Sequence, residues 1–268
     1  MRKVLVVLGA GVLAGVGLGA SPASAATGAT VYAVGNTAHY TAGGGQANDV
    51  AVTQVASADD GDQWLYVFND VVPITPGQDC FRPDEVDPTV VACHIADSGD
   101  IPYVGLDLGD GDDEAAVRTT GIGYVFGGTG DDTLHAASTG QELQGGAGDD
   151  SLTGASYQGG GSGNDTLLPS PGGWGYGGDG NDTLVGNAGD ERLYGGPGND
   201  VIYGQDGNDV AYGDAGEDEI HGGTGNDELH GGADDDLVFG NSGDDRLYGD
   251  GGTDELSGGA GNNVIRQD

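Results

Sequence analysis

From Gly177 to Val185 the chain reads Gly-Gly-Asp-Gly-Asn-Asp-Thr-Leu-Val, and the same nine-residue frame continues without insertion to Arg266. Ten units follow one another, starting at residues 177, 186, 195, 204, 213, 222, 231, 240, 249 and 258. Position one is glycine in every unit, and position six is acidic in all but the last. Position eight is apolar throughout: Leu184, Leu193, Ile202, Ala211, Ile220, Leu229, Val238, Leu247, Leu256 and Ile265. Upstream the pattern recurs in broken phase at Gly127–His135, Gly145–Thr153 and Gly160–Leu168. A degenerate relative stands at Gly109-Asp110-Gly111-Asp112-Asp113.

Six residues rich in Gly, Asp and Asn have little strand propensity but tolerate positive φ, so each unit opens with a tight turn. The three that remain can form only a short strand with its middle side chain turned inward. One such strand buries almost nothing, so units must stack to make a core. With two units per coil, equivalent positions recur every 18 residues and lie one strand spacing apart, about 4.8 Å.

Stacking sets acidic turns side by side. Asp200, Asp218, Asp236 and Asp254 fall on one edge, and Glu191, Asp209, Asp227 and Asp245 on the other. Carboxylates about 5 Å apart repel by roughly 1 kcal/mol in a water-like dielectric and by more near a protein surface. A divalent cation between turns reverses that sign. The oxygens on offer are carboxylates and main-chain carbonyls, which suit calcium rather than zinc. The candidate ligands are Asp132, Asp150, Asp165, Asp182, Glu191, Asp200, Asp209, Asp218, Asp227, Asp236, Asp245 and Asp254. The regular units alone leave gaps for up to about eight ions. Glu191 has the longer arm and is expected to make a weaker site, Asp234 replaces the position-four glycine, and Asn263 is neutral in the end turn.

The pattern Gly-Gly-x-Gly-x-Asp-x-apolar-x resembles the repeats-in-toxin (RTX, hemolysin-type) nonapeptide family. The resemblance implies an all-β fold: a right-handed parallel β-roll, or β-solenoid, of 18 residues per coil that binds several Ca2+ ions. Family members usually carry an export signal after the repeats, whereas this sequence carries an N-terminal one. The segment before the repeats is similar to that of small exported actinobacterial calcium-binding proteins, with its Asn48-Asp49-Val50 strand, its cysteine pair and its Leu108-Gly109-Asp110-Gly111-Asp112-Asp113 stretch.

Composition agrees with a chain that needs help to fold. Of 268 residues 58 are Gly and 44 are Asp or Glu against 7 Lys or Arg, a formal charge of −37. Such a polyanion repels nucleic acid and anionic lipid and attracts cations. Residues 1–25 read as a secretory signal peptide: Arg2-Lys3, an apolar run from Val4 to Ala20, and a cleavage signal at Ala23-Ser24-Ala25. Cleavage after Ala25 releases a secreted, extracellular protein with no membrane span. In that oxidising compartment Cys80 and Cys93 are expected to form a disulfide rather than a metal site.

The organisation expected is therefore signal peptide 1–25, β-rich cap 26–107, irregular repeats 108–176 and a regular roll 177–268. Strands are expected around Thr30–Val34, Asp49–Thr53 and Trp64–Phe68. A cap is required physically, because a bare solenoid end leaves strand edges unpaired. Leu168-Pro169-Ser170-Pro171-Gly172 reads as a Pro/Gly loop. No His-Glu-x-x-His, Gly-x-Ser-x-Gly or phosphate-binding loop is present. Acidic pairs such as Asp59-Asp60 or Asp84-Glu85 are uninformative in so acidic a chain, so no enzyme is expected. Position nine carries Tyr194, Tyr203, Tyr212, His221, His230, Phe239 and Tyr248, outward ladders that either stabilise adjacent strands or offer a platform to cell-wall polysaccharide or extracellular matrix. The reading is a secreted calcium-binding roll of structural or adhesive role, with a carbohydrate- or matrix-binding module as the alternative.

Overall fold

The computed structural model describes residues 28–34, 36–45, 47–56, 63–83, 86–96, 103–119, 121–137 and 139–267. The proposed leader, Asp59-Asp60 and Asp84-Glu85 lie outside them. Every regular element among the described residues is a β-strand, and they form a solenoid of about 9 turns with about 18 residues per coil. The chain passes alternately between two 13-stranded sheets that face each other. Each nine-residue unit contributes one strand to one sheet, and its turn carries the chain across to the other.

Register confirms the coil. In one sheet Leu184 lies opposite Ile202, which lies opposite Ile220, then Val238 and Leu256. In the other, Leu193, Ala211, Leu229 and Leu247 stand in a column. All these pairings are parallel, and their inward side chains from Leu184 to Leu247 are buried against one another. The final coil departs from the expected core: Leu256 is only partly buried and Ile265 is 47% exposed, because no strand covers their far side.

Upstream the roll continues through coils of unequal length. Successive position-six aspartates of one edge are 19, 18, 15 and 17 residues apart from Asp113 to Asp182, and 18 apart afterwards. The unevenness is absorbed on the opposite side. There Gln158 occupies the inward column between Leu143 and Gly175 and is fully buried, its Nε2 donating to the Leu168 carbonyl at 3.0 Å.

The N-terminal strands extend the same two sheets. Asp49–Ala56 pairs in parallel with Glu114–Arg118 and antiparallel with Gln63–Asn69, while Thr37–Thr41 joins Tyr103–Asp107. One buried core runs without a break from Ala29 to Leu247. The outermost strands are short, Ile74–Pro76 and Cys80–Phe81. Pro76 and the Cys80–Cys93 disulfide blunt these edges, the latter joining residues directly opposite in an antiparallel pair. No helix among the described residues is long and apolar enough to cross a membrane.

Candidate metal-binding edges

Position six is the last turn residue before a strand, so its carboxylate points along the stack. The fold brings these residues into two rows. In the first, the N–H of Asp113 donates to Oδ1 of Asp132 at 2.8 Å, Asp132 to Asp150 at 2.8 Å, Asp150 to Asp165 at 2.8 Å and Asp165 to Asp182 at 2.7 Å. The series continues to Asp200, Asp218, Asp236 and Asp254. In the second row the N–H of Glu191 donates to Asp209, Asp209 to Asp227, Asp227 to Asp245 and Asp245 to Asn263. One oxygen of each aspartate is thus held by the coil before it.

The other oxygen has no protein partner. Oδ2 is buried and accepts no hydrogen bond in Asp113, Asp132, Asp150, Asp165, Asp182, Asp200, Asp209, Asp218, Asp227, Asp236, Asp245 and Asp254. Each of these side chains except Asp254 is at most 2% exposed. The position-one glycine makes the space. A Cβ on Gly177 would stand 2.2 Å from Oδ2 of Asp182 and 2.6 Å from the carbonyl oxygen of Gly195 in the next coil. The same holds at Gly213, with Asp218 Oδ2 at 2.2 Å and the Gly231 carbonyl at 2.5 Å. Position one is therefore glycine for room, not for backbone freedom. The residues that need positive φ are at positions two and four, where Asp214 and Asp234 adopt it at 77° and 80°.

Two hydrogen-bond acceptors facing one small space, with no donor, is an arrangement that costs free energy unless a cation enters. Burial pushes the carboxyls of Asp150, Asp200, Asp209 and Asp218 up to about 7, and adjoining carboxylates add to the rise. Asp132, Asp165, Asp227 and Asp236 are pushed up to about 6 for the same reason. Asp113, Asp182 and Asp245 are also raised by burial. Among the described residues no three His, Cys, Asp or Glu side chains converge as a metal-binding group. A bound ion would therefore take one carboxylate oxygen per coil and main-chain carbonyls for the rest. That donor set is all hard oxygen and fits calcium.

Glu191, expected from its longer arm to make a weaker site, differs from the aspartates in its hydrogen bonding. Its Oε1 accepts the N–H of Gly172 at 2.7 Å, and its Oε2 accepts the N–H of Asn187 at 3.2 Å. Both oxygens are held by the protein.

Two features were missed in the sequence. Asp113 heads the first row although position one of its unit is Leu108. Its Oδ1 accepts the N–H of Asn48 at 2.6 Å and Nδ2 of Asn48 at 3.0 Å, tying roll to cap. The second feature is a ladder at position five. Oδ1 of Asn181 accepts the N–H of Asn199, and Oδ1 of Asn199 that of Glu217, while on the other edge Asn208 and Asn226 pass the bond on to Asp244. These bonds run in the opposite direction along the stack to those of position six, so each turn is fastened to both neighbours.

The outward rings do form ladders. Tyr176, Tyr194, Tyr212, His230 and Tyr248 stack with centroids 4.4–5.2 Å apart, and Tyr203, His221 and Phe239 with centroids 4.9–5.0 Å apart. Interplanar angles are 3–18°. The ring faces are spent on one another, leaving only edges for a sugar. This favours strand stabilisation over a polysaccharide platform.

The chain matches the family model described as RTX calcium-binding nonapeptide repeat (4 copies) over residues 119–138, 141–156, 176–211, 212–247 and 230–265. No curated protein matches it significantly.

Proposed function

Residues 119–265 belong to the RTX calcium-binding nonapeptide-repeat family, and from that premise we propose that the protein is a secreted, non-enzymatic β-roll that folds when several calcium ions bind outside the cell and then serves a structural or adhesive role. The observation that carries the reading is the pair of rows of buried Oδ2 atoms without a protein partner. Without a cation each such oxygen opposes folding; with one it becomes a cross-coil tie. The acidic composition and the scarcity of apolar residues support an unfolded chain where free calcium is low. A leader at 1–25 supports delivery to a compartment where calcium is plentiful.

Calorimetry and far-UV circular dichroism of the leader-free protein, titrated with calcium and with magnesium as control, test this directly. We expect a transition to β structure with calcium binding at more than one site, at concentrations of about 0.1–1 mM, and none with equal magnesium. A protein that stays compact and unchanged in excess chelator, retaining no ion, would overturn the reading.

A further inference from the structure

The second edge is not equivalent to the first. Its position-six column is Gly123, Gln141, Ser156, Gly173, Glu191, Asp209, Asp227, Asp245 and Asn263, by the strand register. Upstream of Glu191 the column holds no carboxylate. The first edge has one in every coil from Asp113 to Asp254.

Glu191 stands where the change occurs, and its turn is built differently. In the neighbouring units at 195, 204, 213 and 222 the residues at positions two and four all have positive φ. Asn187 and Gly189, at those positions here, do not. The extra methylene of glutamate carries Oε1 one residue beyond the usual partner, to the N–H of Gly172 in the Pro/Gly loop. Oε2 lies 3.0 Å from the point a Cβ of Gly186 would occupy, the counterpart of the space that Oδ2 fills beside other position-one glycines. There it meets the N–H of Asn187, a donor, where the other units present none. Asn187 is fixed in turn by Nδ2 donating to the Pro169 carbonyl at 2.7 Å. Beyond this point the row resumes, with the N–H of Glu191 donating to Oδ1 of Asp209.

We propose that Glu191 closes its turn with two main-chain donors in place of a metal ion, so that ions on this edge begin at Asp209 and the turns upstream take none. The Gly172 N–H takes the place of the usual bond from the preceding coil, and the positive end of the Asn187 N–H dipole faces Oε2 in the space that a cation would take beside Oδ2 in the other units. The roll is thereby calcium-lined on one edge throughout and on both edges only in its C-terminal half. This assignment rests on the calcium reading above and sharpens it to named positions.

The test is the number of ions retained by the full leader-free protein after equilibrium dialysis against calcium, read by atomic emission, for wild type, E191Q, D209N and D200N. E191Q is expected to keep the wild-type number while melting several degrees lower, since an amide accepts only one of the two N–H bonds. D209N and D200N are each expected to lose about one ion. Loss of an ion in E191Q, or full retention in D209N, overturns the assignment alone. A wild type that retains no calcium overturns the calcium reading and this assignment together. Should E191Q not fold, crystals of the wild-type protein soaked with terbium give the same answer. Anomalous peaks are then expected beside Asp209, Asp227 and Asp245; a peak within residues 186–191 would refute the proposal.

Discussion

Oδ1 of Asp218 accepts the main-chain N–H of Asp200 from the preceding coil at 2.8 Å, while its Oδ2 is buried and accepts nothing. One carboxylate thus holds a satisfied and an unsatisfied oxygen on the same carbon. The first fixes the spacing of the coils, and the second makes that spacing costly without a cation. Repeated along both rows of aspartates, this half-satisfaction is what supports the proposal that the roll folds on binding calcium.

The asymmetry can be removed by one atom change. In D218N the amide oxygen can keep the bond from Asp200, and the amide nitrogen becomes a donor in the space that Oδ2 shares with the Gly231 carbonyl. We expect D218N to lose about one calcium ion yet to hold more β structure than wild type in chelator. Circular dichroism in chelator and a calcium count are the two measurements. A variant less folded than wild type in chelator would count against the orphaned oxygen as the source of the cost.

Acid should mimic calcium in part. Burial raises the carboxyl of Asp218 to about 7 from an ordinary 3.8, and Asp150, Asp200 and Asp209 match it. A raised folded-state value means that the folded chain holds protons the unfolded chain releases. The resulting stability is fully present below about pH 4 and is lost as pH rises through about 7. The chelated protein should therefore gain β structure between pH 8 and pH 5, and calcium binding near pH 6 should release protons. Far-UV spectra across that range check the first, and calorimetry in buffers of different ionisation enthalpy checks the second. A calcium-free spectrum independent of pH would refute the account.

The glycines should divide by position. Gly195→Ala puts a Cβ 2.1 Å from Oδ2 of Asp200 without any positive-φ strain, so the carboxylate must move. We expect it to weaken calcium binding and to destabilise the loaded roll by about 2 kcal/mol or more. Gly251→Ala meets nothing nearer than the Gly232 carbonyl at 3.6 Å, so it should change stability by less than about 0.5 kcal/mol. Thermal melts of both in saturating calcium decide the matter, and equal losses would show that space at position one is not what matters.

These contrasts also mark what the sequence could and could not disclose. The nine-residue period announced the strand, the inward position eight and the acidic rows, since each depends on local composition and a fixed repeat. The upstream rows were legible only as far as the frame could be followed. Asp113 was passed over because Leu108 stands where a glycine was expected, and the bonds from Asn48 come from a residue 65 positions away, just before the strand Asp49–Ala56. The bonds that hold Glu191 were not legible because their donors, Gly172 and Asn187, are set by a loop and a backbone conformation that no repeat encodes. The inequality of the two edges was hidden because coils of 15 and 17 residues shift the frame on one side only.

The aromatic ladders give a last test, of what the outer surface is for. Tyr212 lies between Tyr194, at 5.2 Å and 3°, and His230, at 4.5 Å and 13°. Both of its faces are covered, so a sugar could reach it only by prising the stack apart. If the ladder serves the strands, Tyr212→Ala should cost about 1–2 kcal/mol, seen as a lower melting temperature in calcium. Wild type and variant should then sediment equally poorly with insoluble cell-wall polysaccharide. If wild type instead pellets with the polymer and Tyr212→Ala does not, with its fold and calcium count intact, the rings must open to a ligand and the stacked geometry is not their working state.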